Sequence, residues 1–481
     1  MRALFVLLVA LILLAAIGQS TAEMKPQFIS IVIAGLILSA LTVMDLEWGL
    51  YILIFVIPFT LQYRMGVNIA FGTDDIFLIL LIFSWLANRA RSKEQIFVDT
   101  PLNWAFILFF ISGALSLTQA ISKVPPYWFK LGILHLFRFF EYVFIYFIVV
   151  SCIKDLSQVK KFTIAFFINV GVVAVIQIVQ NMIGGELTKG IFWLPGGAVA
   201  VHYGVSTFTS NATLGAFYCF AISIALGLIV TVRSVRTKVV LIIFSIVISF
   251  TLFNTYSRSA YVGIMMGIFV VAALKDRRIF ILFLAILVLS PIFMQSLVMT
   301  RVAMTFPQAA KPSFNELELP GPYRFEAERY RVMTEGRENI KFDPSAEIRL
   351  LIWSRAFDQF LRYPILGVGW WAGRWVLQAE PHSQFWEYIL DTGILGFGIF
   401  LWLIIGIFKI SSWVRNNASD DFTQGLTLGY TAGFAALLAT CVFSETLDAF
   451  RVLGPLWFMT ALMASVRNIL LEQKEAPQDI R

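Results

Sequence analysis

Charge is scarce in this chain. Only 14% of its 481 residues are Asp, Glu, Lys or Arg, and histidine and cysteine occur three times each. A soluble domain usually carries about 25% charged residues, so the shortage excludes that class. Cys152, Cys219 and Cys441 lie in or beside apolar runs without CxxC spacing, which excludes a disulfide framework or a cysteine zinc site. The net charge of +7 is scattered through loops and forms no basic stripe, so nucleic acid is not an expected partner. No repeat of fixed period and no soluble domain at either end stands out.

What is abundant is hydrocarbon. Hydrophobic residues make up 59% of the sequence and the mean hydropathy is +0.80. Apolar runs recur at the length needed to cross a ~30 Å hydrocarbon core. They read as Ala3–Ile17, Phe28–Met44, Trp48–Tyr63, Ile76–Asn88, Trp104–Ile121, Leu131–Cys152, Phe162–Ile183, Ala212–Val230, Val239–Phe253, Ser259–Leu274, Ile279–Val298, Gln384–Phe408, Leu426–Ser444 and Phe450–Val466. The expected fold is all-α: a polytopic transmembrane bundle of about 14 helices with one large extracytoplasmic loop. The first run precedes Ser20-Thr21-Ala22, a small-residue stretch of the kind that ends a signal peptide; its length and the span close behind it favour a retained helix.

Lysine and arginine cluster in alternate short loops. One set holds Arg89, Arg91 and Lys93; Lys154, Lys160 and Lys161; Arg233, Arg236 and Lys238; and Lys275, Arg277 and Arg278. The positive-inside rule then places both termini in the cytoplasm and the Met299–Pro381 loop outside. Three regions follow: an N-terminal bundle over 1–298, the loop over 299–383, and C-terminal spans with a short cytoplasmic tail over 384–481. The loop's first half is punctuated by Pro320-Gly321-Pro322. In its second half Asp343-Pro344 reads as a helix start, and Ile348, Leu351, Ile352 and Ala356 recur at helical spacing until Pro364.

Several polar residues could carry chemistry. Arg349 and Trp353 are four apart and share a helix face, whereas Arg355 is explained by an ion pair with Asp358, with Arg362 nearby. Pro364-x-x-Gly367-x-Gly369 is by itself an ordinary turn. His382 precedes Ser383, a capping residue for the next span. His382 could be interfacial, or it could be a general base, since an ordinary imidazole pKa near ~6.5 suits proton abstraction at neutral pH.

Taken together, Arg349, Trp353, Pro364-x-x-Gly367-x-Gly369, His382-Ser383, Gly393 and Gly396 resemble the C-terminal signature of the O-antigen ligase and O-antigen polymerase superfamily. Ser257-Arg258-Ser259 resembles that family's Ser-Arg motif. Thr207-Phe208-Thr209-Ser210-Asn211 with Gly215 resembles its Thr-Phe…Asn…Gly stretch, with the usual Asn-Pro-Asn reduced to one asparagine.

The resemblance implies an integral-membrane glycosyltransferase. It would move a glycan from a polyprenyl-diphosphate carrier to an acceptor hydroxyl at the outer face of the bacterial cytoplasmic membrane, with no cofactor or required metal. Arg258 and Arg349 would then clamp the diphosphate and His382 would be the base. Arg138, Asn211, Arg355 and Arg451 are accessory candidates. The acceptor could be a growing glycan, lipid A core or protein, and a flippase or chain-length regulator is an expected partner. A transporter or flippase for such lipids is the alternative, although the inverted repeats common in transporters are not visible.

Two other groupings compete for function. Asp74-Asp75 reads as a helix-start cap, with a divalent-cation site as the sharper alternative. His135, Arg138 and Glu141, three apart within one span, read as charges satisfying one another inside the bundle. Glu445, Asp448 and Arg451 form a polar turn whose role the sequence leaves open.

Overall fold

The computed structural model describes residues 41–60 (residue 43 excepted), 62–64, 70–183, 206–275 (residue 209 excepted), 278, 281 and 344–475. The expected span at Ala3–Ile17, most of those at Phe28–Met44 and Ile279–Val298, and the loop up to residue 343 lie outside them.

The protein is a helical membrane bundle. In chain order the described helices are α1 (Leu46–Val56), α2 (Thr73–Ser92), α3 (Asn103–Ala120), α4 (Pro126–Cys152), α5 (Leu156–Ile183), α6 (Asn211–Thr231), α7 (Val235–Phe253) and α8 (Arg258–Leu274). Then come α9 (Pro344–Arg362), α10 (Gly373–Leu377), α11 (Gln384–Asn417), α12 (Asp421–Cys441) and α13 (Phe450–Glu475). Seven of them are long and apolar enough to cross a membrane. Between α1 and α2 lies a short antiparallel ribbon, β1 (Gln62–Arg64) with β2 (Ala70–Gly72).

Local chemistry sets several of the boundaries. Proline cannot donate to a helix and restricts the residue before it, so α1 ends ahead of Pro58 and is shorter than the expected Trp48–Tyr63 span. Pro126 opens α4 at a position whose N–H would be orphaned anyway. Ser210, Ser257 and Asp420 cap α6, α8 and α12 by accepting from Thr213, Ala260 and Thr423 amides. The helix expected from Asp343-Pro344 to Pro364 is α9, which runs to Arg362.

The tightest group is α6, α8 and α12, while α13, the most buried of the spanning helices, packs chiefly on α4. Gly425, Gly429 and Gly433 stand four apart on α12 and let the α6 backbone come close. A Cβ added at Gly227 on α6 would lie 2.2 Å from the Gly429 nitrogen. On α8, Gly263 and Gly267 face Thr440, Ala436 and Ser223 in the same way. These contacts hold the start of α8 and the end of α12 at one end of the bundle, which we call the His382 end.

Candidate active site

The site is built around a break in α11. Gly393 has φ 63° and ψ −166°, a backbone region essentially reserved for glycine. The sequence predicts a continuous span from Gln384; instead the helix opens at this residue. An opened helix exposes carbonyls and amides that must find partners in a buried setting. The Pro364–Gly369 turn supplies them. Val368 N–H donates to Leu390 O at 2.9 Å and Gly369 N–H to Asp391 O at 3.1 Å, while Ile394 and Leu395 amides donate back to Pro364 O at 2.8 Å and Ile365 O at 3.3 Å. Gly367 and Gly369 take φ values of 70° and 117° to make this fit. A Cβ at Gly367 would lie 2.4 Å from Leu390 O. The turn that looks ordinary in isolation is therefore spliced into the helix ten residues after Ser383.

Downstream of the turn the chain is pinned again. Asp391 accepts from the Trp371 and Gly373 amides, each at 2.8 Å, and Trp370 N–H donates to Ser116 Oγ on α3 at 3.0 Å. Gly373 opens α10, whose Arg374 pairs with Glu387 and, at 2.6 Å, with Asp448. The guanidinium lies over the Trp371 ring at 3.4 Å, and His135 stacks on the same ring at 3.6 Å. Gln384 completes the cluster: its amide donates to Glu387 at 3.0 Å and Asp448 at 3.1 Å, and its oxygen takes the Leu447 N–H at 2.8 Å. Burial works against the charge on Arg374, but Glu387, Asp448 and Glu445 more than offset it and hold its pKa above the ordinary value. It remains a fixed cation.

His382 sits where these pieces converge. Its φ of 52° is left-handed, a conformation that a non-glycine residue keeps only when its surroundings impose it. Its backbone N–H donates to the Glu445 carboxylate. Burial, opposed by Arg374, pushes Glu445 up to about 7. Glu380, His382 and Glu445 each bring one ligand-type atom to within 4.8 Å of the others. Chemically the trio could bind a divalent cation, or act as an imidazole flanked by carboxylates.

The structure brings most of the sequence-expected residues to this end. Arg349 is half-buried on α9, one turn before Trp353, whose indole N–H donates to Pro381 O at 2.9 Å. That bond fastens the arginine's helix to the residue before His382. Ile352 and Ala356 pack the helix against Val368, Ala372, Leu377 and Leu390. Arg258 is the first residue of α8. Five residues on, Gly263 meets Thr440 near the end of α12, and Ser383 Oγ donates to Cys441 O at 3.4 Å. Arg258 and His382 thus share the end of α12. Gly215 on α6 faces Ala260 and Ser257, so the end of the Thr207–Gly215 stretch packs on the Ser-Arg motif, with Asn211 half-buried as the first residue of α6.

Other expectations change. Ser383 occupies the cap position of α11, but its hydroxyl makes no capping bond and turns to Cys441. Arg355 is exposed and, among the described residues, forms no ion pair with Asp358. Arg138 pairs with Asp75 at 3.1 Å, a partner from another helix, while His135 goes to Trp371. Asp75 does cap α2, accepting the Gly72 N–H at 2.7 Å; Asp74 accepts the Tyr142 hydroxyl. Arg451 is buried and donates to Thr60 O at 2.7 Å. Motif reasoning misses Arg374, Gln384, Glu387 and Asp391. A signal exists for three of them: Gln384, Glu387 and Asp391 recur at helical spacing inside an apolar span, where polar groups mark function.

Residues 243–401 match the family model described as O-antigen ligase. This stretch belongs to the O-antigen ligase family. It runs from α7 into α11 and contains Arg258, Arg349, the spliced turn, His382 and Gly393. A comparison with curated proteins returned no match. The O-antigen ligase domain therefore holds the whole cluster except the acids contributed from beyond its end, Glu445 and Asp448, and the Thr207–Gly215 stretch that precedes it.

Proposed function

We propose that the protein is a glycosyltransferase of the cytoplasmic membrane, moving a glycan from polyprenyl diphosphate to an acceptor hydroxyl at the outer face, in O-antigen or exopolysaccharide assembly. The observation that carries this reading is the convergence of His382, Arg258 and Arg349 at one end of the bundle, on backbone held in place by the splice at Gly393. The acceptor oxygen bonds to the anomeric carbon while the bond from that carbon to the diphosphate oxygen breaks. His382 takes the acceptor proton, and the arginines meet the negative charge gathering on the departing diphosphate. Arginine suits that task because its planar fork stays charged and binds two oxygens together. At ~4 Å and an effective dielectric near ~20 each such contact is worth on the order of 4 kcal/mol before desolvation. The carboxylates of Glu445 and Glu380 beside His382 favour the imidazolium that forms. In this scheme no metal takes part.

Purified protein incubated with a lipid-linked glycan and candidate acceptors (glycan, lipid A core, protein) tests the reading and identifies the acceptor. A covalent product is expected. Lipid that changes leaflet with no covalent product would overturn transfer in favour of translocation. Loss of activity in EDTA restored by a divalent ion would convert the Glu380–His382–Glu445 trio from base to metal site. Orientation is tested with single cysteines at Pro320 and Asp276 in a cysteine-free background. An impermeant thiol reagent should label the first in intact cells and spare the second; the reverse would put the site in the cytoplasm.

A further inference from the structure

A cavity of about 890 Å³ lies against α2, α3, α4 and the start of α13. One wall is apolar and largely aromatic: Ile107 and Phe110 from α3, and Phe137, Phe140, Phe144 and Phe147 from α4. Ile107 and Phe137 are exposed, so that wall is open sideways. At the polar end stand Asp74, Asp75, Glu141, Arg138 and Arg451.

The pairing at that end is incomplete in a specific way. Arg138 Nε pairs with Asp75 at 3.1 Å while its Nη2 is buried without an acceptor among the described residues, and Tyr142 donates to one oxygen of Asp74. Arg451 is only 6% exposed, yet among the described residues its Nε and Nη1 meet no acceptor; its single bond goes to Thr60 O. On the other side Asp74 Oδ1 and Glu141 Oε1 are buried with no donor. Buried groups of this kind are costly unless something meets them. The cavity thus asks for an anion at Arg451, a hydrogen-bond donor at Asp74 and Glu141, and a hydrocarbon chain along the aromatic wall. The charges refine this: five carboxylates (Asp74, Asp75, Asp99, Glu141, Asp448) line the cavity against two guanidinium groups (Arg138, Arg451), and with Asp448 already paired to Arg374 the lining still carries an excess of negative charge. That disfavours a net-anionic headgroup and favours a donor that is itself cationic.

We propose that this cavity binds one phosphoethanolamine lipid, its phosphate on Arg451, its ammonium between Asp74 and Glu141, and an acyl chain against the α3–α4 wall. The dimensions agree. Ser151, anchored to Trp85 and Arg89, lies 13 residues below Arg138 on α4, about 20 Å of helix rise. One leaflet of hydrocarbon is about 15 Å deep, so a single chain fits beneath the headgroup. The cavity borders the candidate active site, sharing His135 and Asp448 with it, but Arg258, Arg349 and His382 do not line it, and the proposal does not depend on the transferase reading.

Delipidated full-length protein titrated with dioleoyl lipids and read by native mass spectrometry tests the proposal. One copy of phosphatidylethanolamine should be retained, with phosphatidylcholine and phosphatidylglycerol at least about tenfold weaker. Methylation removes every ammonium donor from the former, and the latter adds a negative charge. Arg451→Gln should lose about tenfold in phosphatidylethanolamine affinity. Because Arg451 also ties down Thr60 O, Glu141→Gln is the gentler variant: it should weaken phosphatidylethanolamine and leave phosphatidylcholine unchanged. Ile107→Trp should weaken lipid binding by filling the chain wall, while free phosphoethanolamine binds feebly to every form. Arg258→Ala should bind like wild type. The proposal is overturned by equal binding of phosphatidylcholine, by unchanged affinity in both Arg451→Gln and Glu141→Gln, by free phosphoethanolamine matching the lipid, or by loss of binding in Arg258→Ala.

Discussion

Replacing Gly393 with alanine should damage the protein far more than the same change five residues later. The backbone at Gly393 combines φ 63° with ψ −166°, and holding a side-chain-bearing residue there costs about 1–3 kcal/mol. An added Cβ would also lie 2.4 Å from both the carbon and oxygen of Ile365 and 2.7 Å from the Gly367 nitrogen. Those are backbone atoms of the inserted turn, so they yield only if the turn withdraws. Withdrawal breaks some of the four hydrogen bonds that join Pro364–Gly369 to α11. At about 0.5–1.5 kcal/mol each, losing two brings the total to about 2–6 kcal/mol. At an unfolding entropy of about 2.1 cal/mol/K per residue, that is a fall of about 2–6 °C in melting temperature. Gly398 lies on the same helix, and a Cβ added there would meet nothing within 4 Å, so Gly398→Ala should be neutral or gain about 0.5–1 kcal/mol from helix propensity. The assay is tryptophan-fluorescence melting of both variants and wild type in one detergent, with transfer activity measured on the folded fraction. The splice would not be structural if Gly393→Ala melted with wild type, or if both variants lost the same amount.

Three further expectations address the chemistry. His382→Ala should lower turnover by about 10²–10⁴-fold and remove the rise of rate with pH, with glutamine no better; a glutamine enzyme at wild-type rate would take His382 out of the reaction. Arg258→Ala and Arg349→Ala should each abolish most transfer without loss of folded protein, and lysine should restore little because a point charge lacks the fork; near-normal lysine variants would refute the clamp. Glu445, raised by burial to about 7 from an ordinary 4.5, favours folding in its neutral form. Its contribution is complete below pH ~4.5 and lost as pH rises through ~7, at most about 3 kcal/mol. Melting temperature should therefore fall across that window more in wild type than in Glu445→Gln, and parallel curves would contradict it.

Apolar runs of membrane-crossing length in a charge-poor chain make this a helical membrane protein before any packing is known, because they have few other ways to satisfy their backbone. The sequence also located α9, since proline acts locally at both of its ends, and it named Arg258, Arg349 and His382 through their motifs. Partner choice was a different matter. Arg138 needs a carboxylate, and three-residue spacing points to Glu141; only helix packing brings Asp75 to it. The turn at Pro364–Gly369 and the glycine at 393 were both visible, yet nothing local says that one fills a gap in the other. Their hydrogen bonds join residues more than 20 positions apart, and so exist only once α9, α10 and α11 have packed. Arg374 likewise became a member of the site because tertiary structure surrounds it with Glu387, Asp448 and Glu445; no pattern of neighbours along the chain carries that information.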